Sequence, residues 1–415
     1  MRILDGANRN SFVQALEQRG TTDLAKVEPA VRRIVNDVRR NGDRALRRYT
    51  TRWDGLGKDE CLRVPSSDLE KAWRETSTDL QNAVKQAAVN IRQYCEWQKP
   101  EEWRREIQPG VIVGQLVRPL ESVGCYVPGG RYPLPSTLLM TVIPAQVAGV
   151  SQIRVVSPNP APATLAAAAY LGVREFYRIG GAQAVAALAY GTESVPRVSK
   201  IVGPGNRYVT AAKKFVAFDC AIEFLAGPTE AVFVSGGGDP ALIACDLIAQ
   251  AEHDPYALCI LITNSRELAK AVQKEVKCRV GANPIAAESL TNRGAILVVD
   301  ALSEAVETAN RIAPEHLTLP AAMAQDVRNA GSIFLNEFTP QTAGDYISGP
   351  NHVLPTGAMA RVRGGLSVLD FVRIFSCQEI SREGIHRIAP AAITLAEAEG
   401  LLGHAESMRV RCSHA

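Results

Sequence analysis

The chain has 415 residues, more than the roughly 250–300 at which a single hydrophobic core stops growing, so more than one core is expected. Its 46 basic and 43 acidic residues are interspersed and give a net charge of only +3, which excludes a face-wide field for nucleic acid or a membrane surface. The first residues lack an apolar signal segment and no run approaches the ~20 apolar residues of a membrane span, so we expect a cytoplasmic protein.

The first hundred residues are predicted to form a helical scaffold. Apolar residues recur at helical spacing over residues 27–38, and Asn41-Gly42 is expected to end that helix. A second helical stretch begins at Ser66, carries one apolar stripe and stops at Pro100. Few side chains in this part are suited to chemistry, so it is interpreted as scaffold.

From about residue 111 the chain alternates short β-branched runs with Ala-rich helical patterns. The predicted strands cover residues 111–113, 153–156, 176–179, 231–234, 259–262 and 296–299, and the predicted helices lie near 136–149, 162–172, 181–190, 205–217, 240–252, 265–277 and 301–312. This alternation is typical of parallel sheets covered by helices on both faces. It predicts an α/β fold with two such sheets, one through residues 126–230 and the other from 231 to about 335.

Three loops follow predicted strands and precede predicted helices, at residues 126–136, 180–183 and 203–207. Each loop offers backbone N–H groups and a helix N-terminus to a phosphate, although a loop of this kind by itself is more often merely a turn. Ser136 is placed to cap the helix after the first loop. Three such loops on one sheet favour a nucleotide site.

A further glycine-rich loop, residues 236–241, matches the pattern of a dinucleotide-binding fingerprint. Asp239 is a natural N-cap and Pro240 a natural first helical residue, so ordinary helix initiation explains the loop. We therefore do not expect the cofactor there.

The nine cysteines are odd in number, scattered, and contain no CxxC pair. Several lie in apolar runs, so they are predicted to be buried reduced thiols. Cys125 is the one candidate for a reactive thiol, because it adjoins the first of the three loops.

Two polar clusters carry side chains suited to a metal or to proton transfer. Gln250 and His253 are three residues apart on a predicted helix, so both lie on one face, where they are acceptable zinc donors that need further ligands. Glu315 and His316 are adjacent and point in different directions, which favours two separate acid–base tasks. A solvated helix end is the alternative interpretation of each cluster.

The last eighty residues become loop-like and contain Asp345 and His352. A final helix is predicted over residues 389–399, after which two glycines lead to His404. This helix has little apolar surface of its own, so the tail is predicted to dock against another surface.

A series of motifs follows in one order over nearly the whole chain. They are Gly-Cys-Tyr-Val-Pro-Gly-Gly, Gly-Pro-Gly-Asn, Ala-Gly-Pro-Thr-Glu, Gln-Ala-Glu-His, Ala-Pro-Glu-His-Leu, Gly-Asp-Tyr-Ile-Ser-Gly-Pro-Asn-His-Val-Leu-Pro-Thr-Gly, Ala-Glu-Ala-Glu-Gly and His-Ala-Glu-Ser. Each motif is weak alone, but together they closely resemble the histidinol dehydrogenase family.

The resemblance implies the oxidation of L-histidinol to L-histidine through the aldehyde, with two NAD reduced, as the last reactions of histidine biosynthesis. It implies Gln250, His253, Asp345 and His404 as ligands of one zinc per subunit, His316 as general base, and Glu315 as the residue that activates water. It implies substrate contacts from Thr229, Gln250, His253, His316, Asp345, His352, Glu399 and His404, and NAD contacts from Tyr126, Gln183 and Asn206.

The resemblance also implies an architecture similar to that of aldehyde dehydrogenases, with two incomplete Rossmann-like domains. Residues 1–24 form an N-terminal extension in this division, and residues 126–230 form the NAD-binding domain. Residues 25–125 and 231–367 form the larger domain with zinc and the catalytic residues. Residues 368–415 form a tail that is exchanged in a homodimer with shared active sites.

Two other functions stay open at this point. Thr229 stands where the family usually has serine, and its extra methyl group leaves open a related dehydrogenase of another alcohol, such as a sulfonated diol. A zinc hydrolase with Glu315 as base is a less favoured alternative, because the chain has no HExxH motif and the three loops would lack a purpose.

Overall fold

The computed structural model describes residues 1–19, 24–57, 59–129 and 132–413. The strands are β1 Arg2–Leu4, β2 Trp103–Gln108, β3 Val111–Pro119, β4 Ser122–Tyr126, β5 Gln152–Val156, β6 Glu175–Tyr177, β7 Lys200–Val202, β8 Ala221–Ile222, β9 Glu230–Val234, β10 Leu258–Thr263, β11 Ala295–Val298, β12 His316–Leu319, β13 Ser332–Leu335 and β14 Val372–Ile380. The α-helices are α1 Gly6–Glu17, α2 Glu28–Trp53, α3 Ser66–Glu75, α4 Thr78–Trp97, α5 Pro135–Ala148, α6 Pro162–Tyr170, α7 Gly181–Tyr190, α8 Arg207–Val216, α9 Pro240–Ala251, α10 Arg266–Arg279, α11 Pro284–Asn292, α12 Leu302–Ile312, α13 Gln341–Tyr346, α14 Arg382–Ala398 and α15 Leu402–Ser413.

The first sheet, sheet I, has six parallel strands in the order β1-β11-β10-β9-β12-β13. Its central strands β9 and β10 are buried along their whole length. Helices α9, α10 and α11 pack on one face and helices α1 and α12 on the other. Burial on both faces explains why these strands are continuous apolar runs rather than alternating ones.

The second sheet, sheet II, has five parallel strands in the order β6-β5-β4-β7-β8. Helices α2, α7 and α8 cover one face, and helices α3, α4, α5 and α6 cover the other. Helices α2, α3 and α4 therefore pack on sheet II, whereas α1 packs on sheet I. The grouping of residues 25–125 with 231–367 stays a prediction.

A third, antiparallel sheet joins the tail to the body of the chain. Strand β14 pairs with β3 along its whole length, and β3 pairs with β2. The predicted strand at residues 111–113 is thus part of β3, in an antiparallel sheet that the sequence analysis did not predict. Beyond β14, helix α15 packs back on α14.

The two predicted parallel sheets are confirmed, with differences at their edges. Residues Arg2–Leu4 were expected in an extension but form the edge strand of sheet I. As predicted, a helix ends at Gly42: the range Glu28–Trp53 consists of two helices joined by a kink at this glycine, which has φ of 49° and ψ of −135°. The final helix begins at Arg382, earlier than predicted, and a second helix follows it.

Candidate active site at the facing edges of the two parallel sheets

The predicted catalytic residues gather at the amino edge of sheet I. His316 begins β12, which runs beside β9, and His316 pairs in register with Ala231. Gln250 lies at the end of α9, the helix that runs back from the far edge of the sheet. Ligands of open parallel sheets usually bind at the carboxyl edge, so this position departs from the common rule.

Gln250, Asp345 and His316 form the centre of this cluster. Gln250 Nε2 donates to Asp345 Oδ2 at 3.1 Å. His316 Nε2 lies 3.6 Å from Asp345 Oδ1, which is the distance of an ion pair rather than a hydrogen bond. All three side chains are buried. Three residues that are far apart in sequence therefore share one polar interior.

His316 lies between two carboxylates. Its Nδ1 is 3.6 Å from Glu315 Oε2, and its ring stacks on Phe334 with 5.8 Å between centroids. Burial lowers its pKa, but Glu315 and Asp345 outweigh that effect and raise the pKa of His316 to about 10. The imidazole is therefore protonated at neutral pH as long as both carboxylates keep their charge.

Glu315 is held by the backbone of the neighbouring strand. The N–H of Glu230 donates to Glu315 Oε2 at 2.9 Å. Burial raises the pKa of the Glu315 carboxyl, the adjacent His316 and the Glu230 N–H oppose that rise, and the Glu230 carboxylate adds to it. A carboxyl whose pKa is raised is suited to accept a proton.

His352 connects the cluster to sheet II. Its Nδ1 donates to the carbonyl of Asp345 at 2.7 Å, since a carbonyl can only accept. Its Nε2 lies 3.1 Å from the hydroxyl of Thr137 in α5. Burial lowers the pKa of His352, so the ring is neutral and Nε2 accepts the Thr137 proton. This chain of bonds brings the amino edge of sheet I against the first turn of α5.

The other predicted metal ligands and substrate contacts occupy more open positions. His253 is exposed at the end of α9, and its charge acts on Asp345 and His352, which places it beside the cluster. Thr229 is half-buried just before β9. Glu399 and His404 are exposed on the tail, where α15 packs against α14.

A cation site was tested against these positions. Among the described residues, no three His, Cys, Asp or Glu side chains lie together as a metal site. Gln250 adds an amide oxygen to these donors, and its buried Oε1 has no hydrogen-bond partner within the described parts of the chain. An unpaired buried oxygen beside the Asp345 carboxylate fits the donor chemistry of a cation.

The predicted NAD contacts lie at the carboxyl edge of sheet II. Tyr126 ends β4, and its hydroxyl accepts the N–H of Gly181 at 3.0 Å. Gln183 is buried in the first turn of α7, and its Nε2 donates to Asp54 at 3.1 Å. Asn206 caps α8 through its Oδ1. The three side chains lie at or beyond the carboxyl ends of β4, β6 and β7, at the edge where open α/β sheets bind dinucleotides.

Many N–H groups of these loops are already paired inside the protein. The N–H of Gly180 donates to Asp54 at 3.0 Å, and the N–H of Gly203 donates to the buried Glu223 at 2.8 Å. Helix α5 instead begins at Pro135 after Leu134, with no side-chain cap, so the prediction that Ser136 caps it was wrong. Gly130 and Arg131 of the first loop lie outside the described residues.

The glycine run at 236–238 and Cys125 are explained without a ligand. Asp239 accepts the N–H of Ala241 at 2.8 Å and caps α9, with Pro240 next, as the sequence predicts. Cys125 is fully buried, and desolvation raises the pKa of its thiol to about 12. The thiolate form needed for catalysis is therefore disfavoured.

Sequence reasoning missed the residues that support the site from behind. Thr137, Asp54 and Arg19 contact His352, Gln183 and Glu230 respectively. Each of these contacts joins segments more than a hundred residues apart, which no local pattern reveals.

Comparison with known proteins gives one consistent family. The family model described as histidinol dehydrogenase matches residues 17–412. Histidinol dehydrogenase of Methanothermobacter thermautotrophicus is 45% identical over 413 residues, covering 96% of each chain. That of Geobacter sulfurreducens is 44% identical over 427 residues, covering 99% of this chain and 100% of the relative. The crystal structure of histidinol dehydrogenase from Elizabethkingia anophelis superposes with a TM-score of 0.94 at 33% identity, covering 100% of this chain and 98% of that one.

Proposed function

The chain belongs to the histidinol dehydrogenase family, and on that premise we propose that it oxidises L-histidinol to L-histidine through the aldehyde, reducing two NAD. The reaction ends histidine biosynthesis. The family match across residues 17–412, joined to the convergence of Gln250, Asp345 and His316, is the observation that carries the proposal.

The proposed zinc ligands are Gln250, His253 and Asp345, with His404 from the tail of a second copy of the chain. The unpaired Oε1 of Gln250 and the adjacent carboxylate support this set, because amide and carboxylate oxygens bind divalent cations. When bound, the ion supplies a Lewis-acidic anchor for the imidazole and amine nitrogens of the substrate. His352 keeps the Asp345 backbone in place through its Nδ1.

His316 and Glu315 divide the proton transfers between them in this proposal. With a cation at Asp345 offsetting the charge of that carboxylate, the His316 pKa would fall and the neutral imidazole would take the proton of the alcohol in the first oxidation. Glu315 would activate the water that hydrates the aldehyde before the second. The Glu230 N–H fixes one Glu315 oxygen and leaves the other for water. A positioned base of this kind contributes roughly 10²–10⁴-fold to a rate.

NAD is proposed to lie along the carboxyl edge of sheet II, in contact with Tyr126, Gln183 and Asn206. The bond between Thr137 and His352 supports a cofactor at this edge, because it brings sheet II against the cluster on sheet I. A nicotinamide bound there would reach a substrate held by the same cluster, as hydride transfer requires. None of the described helices is long and apolar enough to span a membrane.

The proposed active site is completed by the exchanged tail of a homodimer. Leu395 and Leu402 of the tail are 65% and 69% exposed, and a groove of about 610 Å³ beside α14 and α15 is lined by both apolar and polar side chains. Exposed large apolar side chains of this kind support an interface. Glu399 and His404 are solvent-exposed on the same tail, available to a second copy.

The decisive experiment mixes the purified protein with L-histidinol and NAD and follows absorbance of the reduced cofactor. We expect two NADH per histidine formed, loss of turnover after chelation, and recovery with zinc. A sulfonated diol offered in place of histidinol tests the related dehydrogenase. Absence of NADH with histidinol, or turnover with the diol alone, would contradict the proposal.

A further inference from the structure

A buried ion pair between Arg19 and Glu230 lies directly behind Glu315. Arg19 Nε donates to Glu230 Oε1 at 2.7 Å and Arg19 Nη2 donates to Oε2 at 2.8 Å, so the guanidinium grips both oxygens. The two side chains are 15% and 6% exposed. Desolvation of both charges offsets much of their attraction, so stability alone is a weak reason for such a pair.

The pair fastens three segments of the candidate site to one another. Glu230 Oε1 also accepts the N–H of Gly357 at 3.0 Å, in the loop that follows His352. Arg19 Nη2 also reaches the carbonyl of Ala313, two residues before Glu315, at 3.5 Å. The Glu230 N–H in turn donates to Glu315 Oε2.

The pair also decides which charges face Glu315. His316 and Glu230 are the charged groups that act on the Glu315 carboxyl, and Asp345 lies beyond His316. The Glu230 carboxylate disfavours a second negative charge beside it. Arg19 offsets part of that charge, because its guanidinium binds both of the oxygens.

We propose that Arg19 and Glu230 act as one positioning unit for Glu315: they hold in place the β9 backbone N–H that binds its carboxyl, and Arg19 reduces the charge that Glu230 would otherwise place beside it. The inference rests on the proposed role of Glu315 in the second oxidation. Neither Arg19 nor Glu230 touches substrate in this role; both act through Glu315.

Opposite charge changes at the pair provide the test. Arg19→Met leaves the Glu230 carboxylate uncompensated near Glu315, so we expect the Glu315 pKa to rise by about one pH unit. The acidic limb of the pH–rate profile of aldehyde oxidation, which follows the ionisation of Glu315, should rise by the same amount. Glu230→Gln leaves an uncompensated guanidinium, so both move down. The double variant Arg19→Met, Glu230→Gln returns both close to wild type. At pH values below this limb, Arg19→Met should therefore oxidise the aldehyde about tenfold more slowly than the wild type.

Two readouts separate this role from a structural one. Infrared spectroscopy of the full-length protein follows the Glu315 carboxyl band, identified by its loss in Glu315→Gln, across pH without any substrate. The pH profile of histidinaldehyde oxidation follows the same group in turnover. Infrared shifts of opposite sign support the positioning unit even if the proposed activity fails, so the two failures are distinguishable.

The matched control is Arg311→Met. Arg311 binds Glu17 of α1 with two hydrogen bonds, so it also tethers the N-terminal helix but does not contact Glu230 or Glu315. It should leave both profiles unchanged. If Arg19→Met does not fold, Arg19→Lys keeps the charge without the two-pronged grip and should keep the wild-type limb. Shifts of the same sign in the two single variants, or none, would overturn the proposal.

Discussion

Asp345→Asn should lower the pKa of His316 in the metal-free protein. The substitution keeps the shape of the side chain and removes one of the two carboxylates that raise this pKa to about 10. At the 3.6 Å between His316 Nε2 and Asp345 Oδ1, the charge interaction is about 1 kcal/mol in bulk water and about 5 kcal/mol at an effective dielectric constant near 20. The expected fall is therefore about one to three pH units.

The raised pKa of His316 has a consequence for the free energy of unfolding. The folded pKa of His316 lies above its unfolded value of roughly 6.5, so its ion pairs stabilise the metal-free fold fully below that pH. This stabilisation is lost as the pH rises through about 10. Asp345→Asn should reduce this stabilisation at low pH, so the free energy of unfolding should fall by a smaller amount as the pH is raised. A cation bound to Asp345 acts on the His316 pKa in the same direction as the substitution.

The measurement is an NMR titration of protein labelled at the histidine ring carbon Cε1, with the His316 signal assigned by its absence in His316→Gln. Asp300→Asn is the matched control, since Asp300 is an exposed aspartate after β11, at the opposite edge of sheet I. Zinc added to the wild type should also lower the His316 pKa. An unchanged or higher pKa in Asp345→Asn would refute the electrostatic account of this cluster.

Three further predictions concern the catalytic residues, the tail and the loop at Gly203. His316→Gln should slow the first hydride transfer by about 10²–10⁴-fold, whereas Glu315→Gln should slow the second by a similar factor. The measurement is the NADH formed from histidinol and from the aldehyde. Equal failure of both variants at the first step would contradict these separate roles. Removal of the residues after Gly400 should abolish turnover while far-ultraviolet circular dichroism stays near wild type, and full activity of a monomeric truncation would contradict the shared site. Gly203→Ala should weaken NAD binding at least tenfold, measured by calorimetry. The new Cβ would lie 2.1 Å from the carbonyl oxygen of Tyr126, and the φ of 113° is one that residues other than glycine rarely adopt. The control Gly237→Ala, which has open space around it, should bind NAD as the wild type does.

Much of the fold follows from short-range patterns. The helices at 181–190 and 240–251 and the strand at 259–262 are set by local periodicity and by the Asp239-Pro240 start signal, and the structure has them within a residue or two. The strands Arg2–Leu4 and Val372–Ile380 were not foreseen, because an edge strand is defined by the partner it pairs with. Their own sequences carry only a weak signal.

The same distinction between short-range pattern and tertiary contact applies to the site. The sequence supplied the chemical groups, since Gln250, His253, Glu315 and His316 stand out as polar residues in motifs resembling one family. Only the tertiary structure decided that the cluster forms at the amino edge of sheet I, that Asp54 already occupies the N–H of Gly180, and that Arg19 stands behind Glu315. Helix and strand periodicity depends on contacts a few residues apart, and is therefore written in the sequence. The Arg19–Glu230 contact spans 211 residues and exists only once the N-terminal segment has packed on sheet I.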